Sequence, residues 1–202
     1  MIQLESENIN DYLEETEIIN YSHQSIKKKS KEFDKYINDE IILVKIIYEY
    51  VRDHISHSFD IPVLKYITCI ASDVLEHKEG ICFSKAHLLA ALLRAKNIPT
   101  GFNYQKVYDE DDKCFFLHGL NAVYLKTINK WIRLDARGNN KEKNIKAEFS
   151  IDKEILAYAA RRELGEELFP IISINPDIRA INCLRQSSNR DEIYNKAKYN
   201  SL

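Results

Sequence analysis

The chain has 202 residues, 45% hydrophobic and 30% charged, enough apolar matter for one domain with a real core and too much for a disordered chain. Its 29 basic and 31 acidic residues leave a net charge of −2, which speaks against nucleic acid as a partner. Five glycines and four prolines exclude collagen-like and low-complexity classes.

Residues 1–34 are polar and mixed, with a basic run at Lys27, Lys28 and Lys29, and read as a solvated helical arm. The acidic first fifteen residues lack the apolar stretch of a signal peptide, and no segment approaches membrane-spanning length. A reducing cytoplasm with free thiols is therefore expected, with no membrane partner. Asn38 or Asp39 is placed to cap a helix whose apolar face is Ile41, Ile42, Leu43, Val44, Ile46, Ile47, Tyr50 and Val51, ending near His54. A loop follows to Pro62, and 63–75 reads as partly helical. After Gly80, residues 81–95 form a helix pattern that is apolar almost all round, which places it in the middle of the domain. Asn97 and Pro99 end it.

The period then changes. Residues 101–108, 115–125 and 131–136 read as strands, with turns at 109–113 and 127–130. A further helix is expected from Asp152 to about Leu164, capped by Ser150. An amphipathic stretch after Pro176 precedes a polar tail, 186–202. Helices, then strands, then helices give an α+β class and a single domain with its core at about 40–140.

Cys82 opens the buried helix. A thiol in the first helical turn faces the positive end of the helix dipole, a field that favours thiolate. A free cysteine on an apolar helix also serves as a small core residue, and taken alone Cys82 reads that way. His118 opens one strand and Asp135 closes the next, and the hairpin at 127–130 brings those strands side by side. Direct contact between them needs an offset in register. A carboxylate beside a histidine fixes its tautomer and supports the imidazolium. Each has a plainer role too: His118 as a packed, hydrogen-bonded histidine, Asp135 as a turn former. His54 and His57 lack a third ligand of suitable type, so no metal site is expected, and no phosphate loop or dinucleotide fingerprint is present, so no cofactor is expected. Cys69, Cys114 and Cys183 read as structural or incidental.

The order Cys, His, Asp resembles the transglutaminase-like superfamily, whose core is related to papain-like cysteine peptidases. The resemblance is carried by Gly80-Ile81-Cys82, Leu92-Leu93-Arg94-Ala95, Asn97-Ile98-Pro99, the strand opening His118-Gly119-Leu120-Asn121, and the strand ending Trp131-Ile132-Arg133-Leu134-Asp135. It covers about residues 40–140. It implies a helix carrying the cysteine packed on an antiparallel sheet carrying the histidine and aspartate, with Cys82 as nucleophile, His118 as general base and acid, and Asp135 as the orienting carboxylate. Gly119-Leu120 and Asp135-Ala136-Arg137-Gly138 depart from the aromatic and Asp-Pro-Thr patterns common in the family, and look more like a small prokaryotic subgroup.

The expected chemistry is thiol-dependent acyl transfer or hydrolysis at an amide or peptide bond, through a thioester. Peptidase action on peptide or cell-wall-like substrates, and a non-catalytic binding module that keeps the fold, are the alternatives. The Cys82 N–H is one expected oxyanion donor. His57 is a second by its place in the loop before the helix, where an ordinary surface histidine would serve equally. Asn121, Arg137 and Asn139 are further oxyanion or substrate candidates, Arg137 and Asn139 belonging otherwise to a plain turn.

Overall fold

The computed structural model describes residues 2–199; the last three residues of the expected tail lie outside them. In chain order the elements are β1 (Gln3–Leu4), α1 (Gln24–Lys31), α2 (Glu40–His54), β2 (Ser56–His57), α3 (Ala71–His77), β3 (Glu79–Gly80), α4 (Cys82–Arg94), β4 (Thr100–Asp109), β5 (Cys114–Leu125), β6 (Lys130–Leu134), β7 (Glu167–Leu168), β8 (Ile171–Ile172), α5 (Ile178–Arg185) and α6 (Arg190–Ala197).

Every residue of α4 is buried, so the all-round apolar pattern marks a central helix. Most of the polar groups on it find partners inside the protein. Arg94, for example, donates to the carbonyls of Thr100, Glu14 and Ile174. Around α4 pack α2, α3 and an antiparallel sheet of order β6-β5-β4-β7. The α2 helix starts at Asp39, whose Oδ1 accepts from the Ile42 N–H at 3.0 Å, and it buries Leu43, Val44, Ile47, Tyr48 and Val51. The β5–β6 hairpin turns at Asn129, a left-handed residue, and pairs Asn121 with Leu134 and Leu125 with Lys130.

Two sequence expectations need correction. The segment 1–34 is no solvated arm: Tyr12, Ile19 and Ile26 are fully buried, β1 pairs with β8, and the Ala71 N–H donates to Ile18 O. Its apolar residues are too sparse to show a period because they fill gaps left by distant elements. The helix expected over 152–164 is absent apart from a single 3-10 turn at Arg162–Leu164. Ser150 does accept from the Asp152 and Lys153 N–H groups, as a cap would. The backbone beyond is claimed elsewhere: Ala157 N–H donates to Asp135, Tyr158 O accepts from Gln105, and Ile155 O accepts from Glu148 N–H. The expected tail holds α6, which buries Ile193.

Tyr12 stacks edge-on against Trp131 at 4.9 Å and donates its hydroxyl to Ile172 O at 3.2 Å. Tyr12→Ala is expected to cost about 3–5 kcal/mol in urea unfolding, the range for a buried aromatic. A loss below about 1 kcal/mol would mean that the segment is only loosely attached.

Candidate active site

Two glycines let the site assemble. A Cβ on Gly80 would lie 2.7 Å from Ser84 Cβ, so only glycine lets the chain turn from β3 into α4 two residues before Cys82. A Cβ on Gly119 would lie 2.6 Å from Phe83 Cδ1, so glycine after His118 lets the first turn of α4 approach β5. The departure at 119 thus has a packing reason.

Asp135 lies one residue beyond β6. In the β5–β6 register it falls opposite Leu120, two places along from His118. The pair therefore meets diagonally, and the expected offset is supplied by Asp135 leaving the strand. The His118 Nε2 and Asp135 Oδ2 are 2.8 Å apart, and both residues are almost wholly buried. Asp135 also accepts from the Arg137 N–H at 3.0 Å and the Ala157 N–H at 3.0 Å. Burial works against its charge, but His118 and these two N–H groups hold the carboxyl below the usual carboxylate range. It accepts as a carboxylate, so His118 Nε2 carries a proton. Burial likewise disfavours the imidazolium, yet Asp135 and Cys82 together outweigh it and push His118 up to about 10. Cys82 lies close enough to add to that upward shift, and with Nε2 held by Asp135, Nδ1 is the ring nitrogen left free.

Cys82 keeps 9% of its surface exposed, and that surface opens into a cleft of about 700 Å³. His57, Phe59, Phe116, His118, Tyr158 and Tyr194 are among its walls. The N-cap, Ile81, offers no side-chain acceptor, so the first-turn N–H groups of α4 are open to an occupant.

His57 is brought to the site. It pairs with Gly80 in the parallel β2–β3 ladder and lines the cleft. Its Nδ1 accepts from the Phe59 N–H at 3.3 Å. Burial, with Arg137 and Lys85 nearby, drives its pKa well below the usual histidine value, so the ring is neutral and its proton sits on Nε2. Arg137 lines the cleft as well, but it is engaged: it forms an ion pair with Asp60 and donates from Nε to Tyr158 Oη at 3.2 Å. Asn121 and Asn139 are elsewhere. Asn121 is buried and donates to Ala86 O and Gly101 O, tying α4 to β4, and Asn139 Oδ1 accepts from the Ala147 N–H.

Sequence reasoning missed four residues that shape the site. Tyr158 sets its ring edge-on to His118 at 4.9 Å and an interplanar angle of 81°, covering the His118–Asp135 pair. Asp60 anchors Arg137 and Lys143. Tyr48 donates to Asp135 O at 3.1 Å. Lys85, one turn along α4 from Cys82, donates from its buried Nζ to Arg52 O at 3.1 Å and Ile55 O at 2.5 Å, fastening α4 to the end of α2. Burial pulls Lys85 down to about 7. The signal for Lys85 was a lysine inside an apolar run; the others carry none.

The profile of the transglutaminase-like superfamily matches residues 17–136, well over half of the chain. The chain belongs to that superfamily. Among solved structures, a candidate cysteine protease from Cytophaga hutchinsonii superposes with a TM-score of 0.50 at 21% identity, over 65% of this chain and 43% of its own. The periplasmic domain of TgpA from Pseudomonas aeruginosa, bound to ethylmercury, has a TM-score of 0.43 at 17% identity, over 62% of this chain and 46% of its own. The likeness to the first is one of fold, and this chain matches less than half the length of either. No curated protein matches it. Among the described residues no helix is long and apolar enough to cross a membrane. The superfamily segment ends at residue 136, so Tyr158 and Tyr194 come from chain beyond it.

The pair sets a pH signature in stability. His118 sits above its ordinary 6.5 when folded, so its contribution is complete below about 6.5 and fades as pH rises toward 10. Asp135 sits below its ordinary 3.8, so its contribution is present above about 3.8 and fades as pH falls below that. The stability gap between the parent and a His118→Gln, Asp135→Asn double variant, from urea unfolding, is expected to be widest between these two values and to shrink on both sides. A gap independent of pH would contradict the charged pair.

Proposed function

We propose that the protein is a cysteine-dependent acyl-transfer enzyme acting on an amide or peptide bond. The observation that carries this reading is that the Cys82 thiol shares one cleft with a buried histidine held protonated by a carboxylate at 2.8 Å. With the Cys82 proton already on His118, the thiolate attacks the substrate carbonyl carbon. The carbonyl π pair moves to oxygen, and that oxyanion takes hydrogen bonds from the Cys82 N–H and from His57 Nε2–H. A neutral histidine with its second nitrogen already accepting is suited to this, because it donates without exchanging its proton. Collapse breaks the C–N bond, and His118 Nδ1–H protonates the leaving amine. The resulting Cys82 thioester is attacked by water or by a second amine, which gives its proton to His118, and Cys82 leaves as the thiolate beside the recharged imidazolium. Asp135 holds the ring throughout and supports its charge. The family membership and the cysteine-protease-like fold support the same class.

The test is a panel of acyl p-nitroanilides followed by intact-protein and peptide mass. An acyl adduct on Cys82 is expected, with turnover lost in Cys82→Ala. With a turning-over substrate, His57→Ala is expected to lower kcat by about 10²–10³, the effect of one oxyanion donor, while alkylation of Cys82 by iodoacetamide, which forms no oxyanion, keeps its rate. Turnover that survives Cys82→Ala would overturn the proposal.

A further inference from the structure

The superfamily segment does not account for α6. This helix of eight residues, about 12 Å long, is tied at its start to one wall of the cleft and along its second half to the other. At the start, Arg190 Nη2 donates to Ile61 O at 2.8 Å and its guanidinium lies over the Phe59 ring at 6.0 Å. Tyr194, one turn on, meets Phe59 edge-on at 6.3 Å and donates its hydroxyl to Asp109 Oδ2 at 2.9 Å, on the β4–β5 side. Just past the end, Lys198 forms a β-bridge with Phe116. Phe59, Asp109 and Phe116 all line the cleft, and so do Tyr194 and Ala197 of α6 itself. Helix α6 therefore spans the cleft from the His57–Phe59 loop to the sheet, and Ile193 beneath it is buried and anchors it.

We infer that α6 is a fixed bar that restricts the site to acyl groups at a chain end or on a small molecule, and closes it to polypeptide lying straight through the cleft. A mid-chain amide has backbone running away on both sides of its carbonyl. A bar joined to both walls leaves room for only one. This rests on Cys82 as the nucleophile and adds the substrate class: a terminal or small amide, held among Phe59, Phe116 and Tyr158. The polar ties at Arg190 and Tyr194 set the bar in place, so they determine specificity without taking part in the chemistry.

The experiment uses two peptide thiol traps of the same residues, one with a chloroacetyl group at its end and one with an epoxide built into the middle of its backbone. Each rate at Cys82, mapped by peptide mass, is divided by its rate with free cysteine. The parent protein is expected to favour the end-placed trap by at least about tenfold. A double variant, Arg190→Ala with Tyr194→Ala, keeps the Ile193 anchor and is expected to lose most of that preference; Asp109→Asn, which weakens the tie from the other wall, is expected to lose part of it. Circular dichroism and the parent's iodoacetamide rate at Cys82 serve as folding controls. Equal corrected rates for both traps in the parent, or a preference unchanged in folded variants, would overturn the inference. If Cys82 reacts with neither trap nor with iodoacetamide, the assignment of the nucleophile fails first, and this inference falls with it.

Discussion

The structure depends on one buried charge pair. His118 and Asp135 lie 2.8 Å apart with almost no solvent, a placement that would be costly for either charge alone. It holds because every partner of Asp135 comes from a different part of the fold. The ring is on β5, one N–H is in the turn after β6, and another is in the strap at 157. Together they keep the carboxyl ionised and the imidazole charged, next to the first turn of α4 where a helix presents unpaired N–H groups. The rest of the fold brings these pieces to one cleft. A fully buried α4 fixes Cys82, the β5–β6 hairpin fixes the diagonal between His118 and Asp135, and the β2–β3 ladder fixes His57.

The same electrostatics separates the cysteines. Burial pushes Cys69 up to about 11 and Cys183 up to about 12, so both are ordinary inert thiols at neutral pH. Cys82 is the one placed beside an imidazolium and a cleft. A ring of further contacts stiffens the site: Asp60 holds Arg137, Arg137 holds the Tyr158 hydroxyl, and the Tyr158 ring covers His118. This arrangement keeps water from the His118–Asp135 bond, where a low local dielectric strengthens it.

What the sequence shows and what it hides follow from range. The α4 helix and the three long strands were legible because their signals are local: a run apolar on all sides, and alternation with period two. Gly80 before Cys82 and the strand-end position of Asp135 were legible as pattern, but their reasons, a 2.7 Å approach to Ser84 and a diagonal register, are visible only in three dimensions. The 152–164 segment misled because helix-like composition lost to tertiary claims on its backbone, among them Ala157 to Asp135 and Gln105 to Tyr158. Tyr12, Asp60 and Tyr158 were invisible for the matching reason: their partners, Ile172, Arg137 and His118, stand far along the chain. Asn121 and Asn139 were legible as polar residues near the motif, and the structure gives both to backbone carbonyls or amides away from the cleft.

The most direct measurement is iodoacetamide labelling across a pH series, mapped by peptide mass to Cys69, Cys82, Cys114 and Cys183, in the parent and in Asp135→Asn. If Cys82 is paired with a charged His118, it alone is labelled at mildly acidic pH, and the asparagine variant shifts its labelling toward the alkaline range of a plain thiol. Labelling of Cys82 that is no faster than that of the other three, with a pH profile unmoved by Asp135→Asn, would contradict the charged pair on which the account stands.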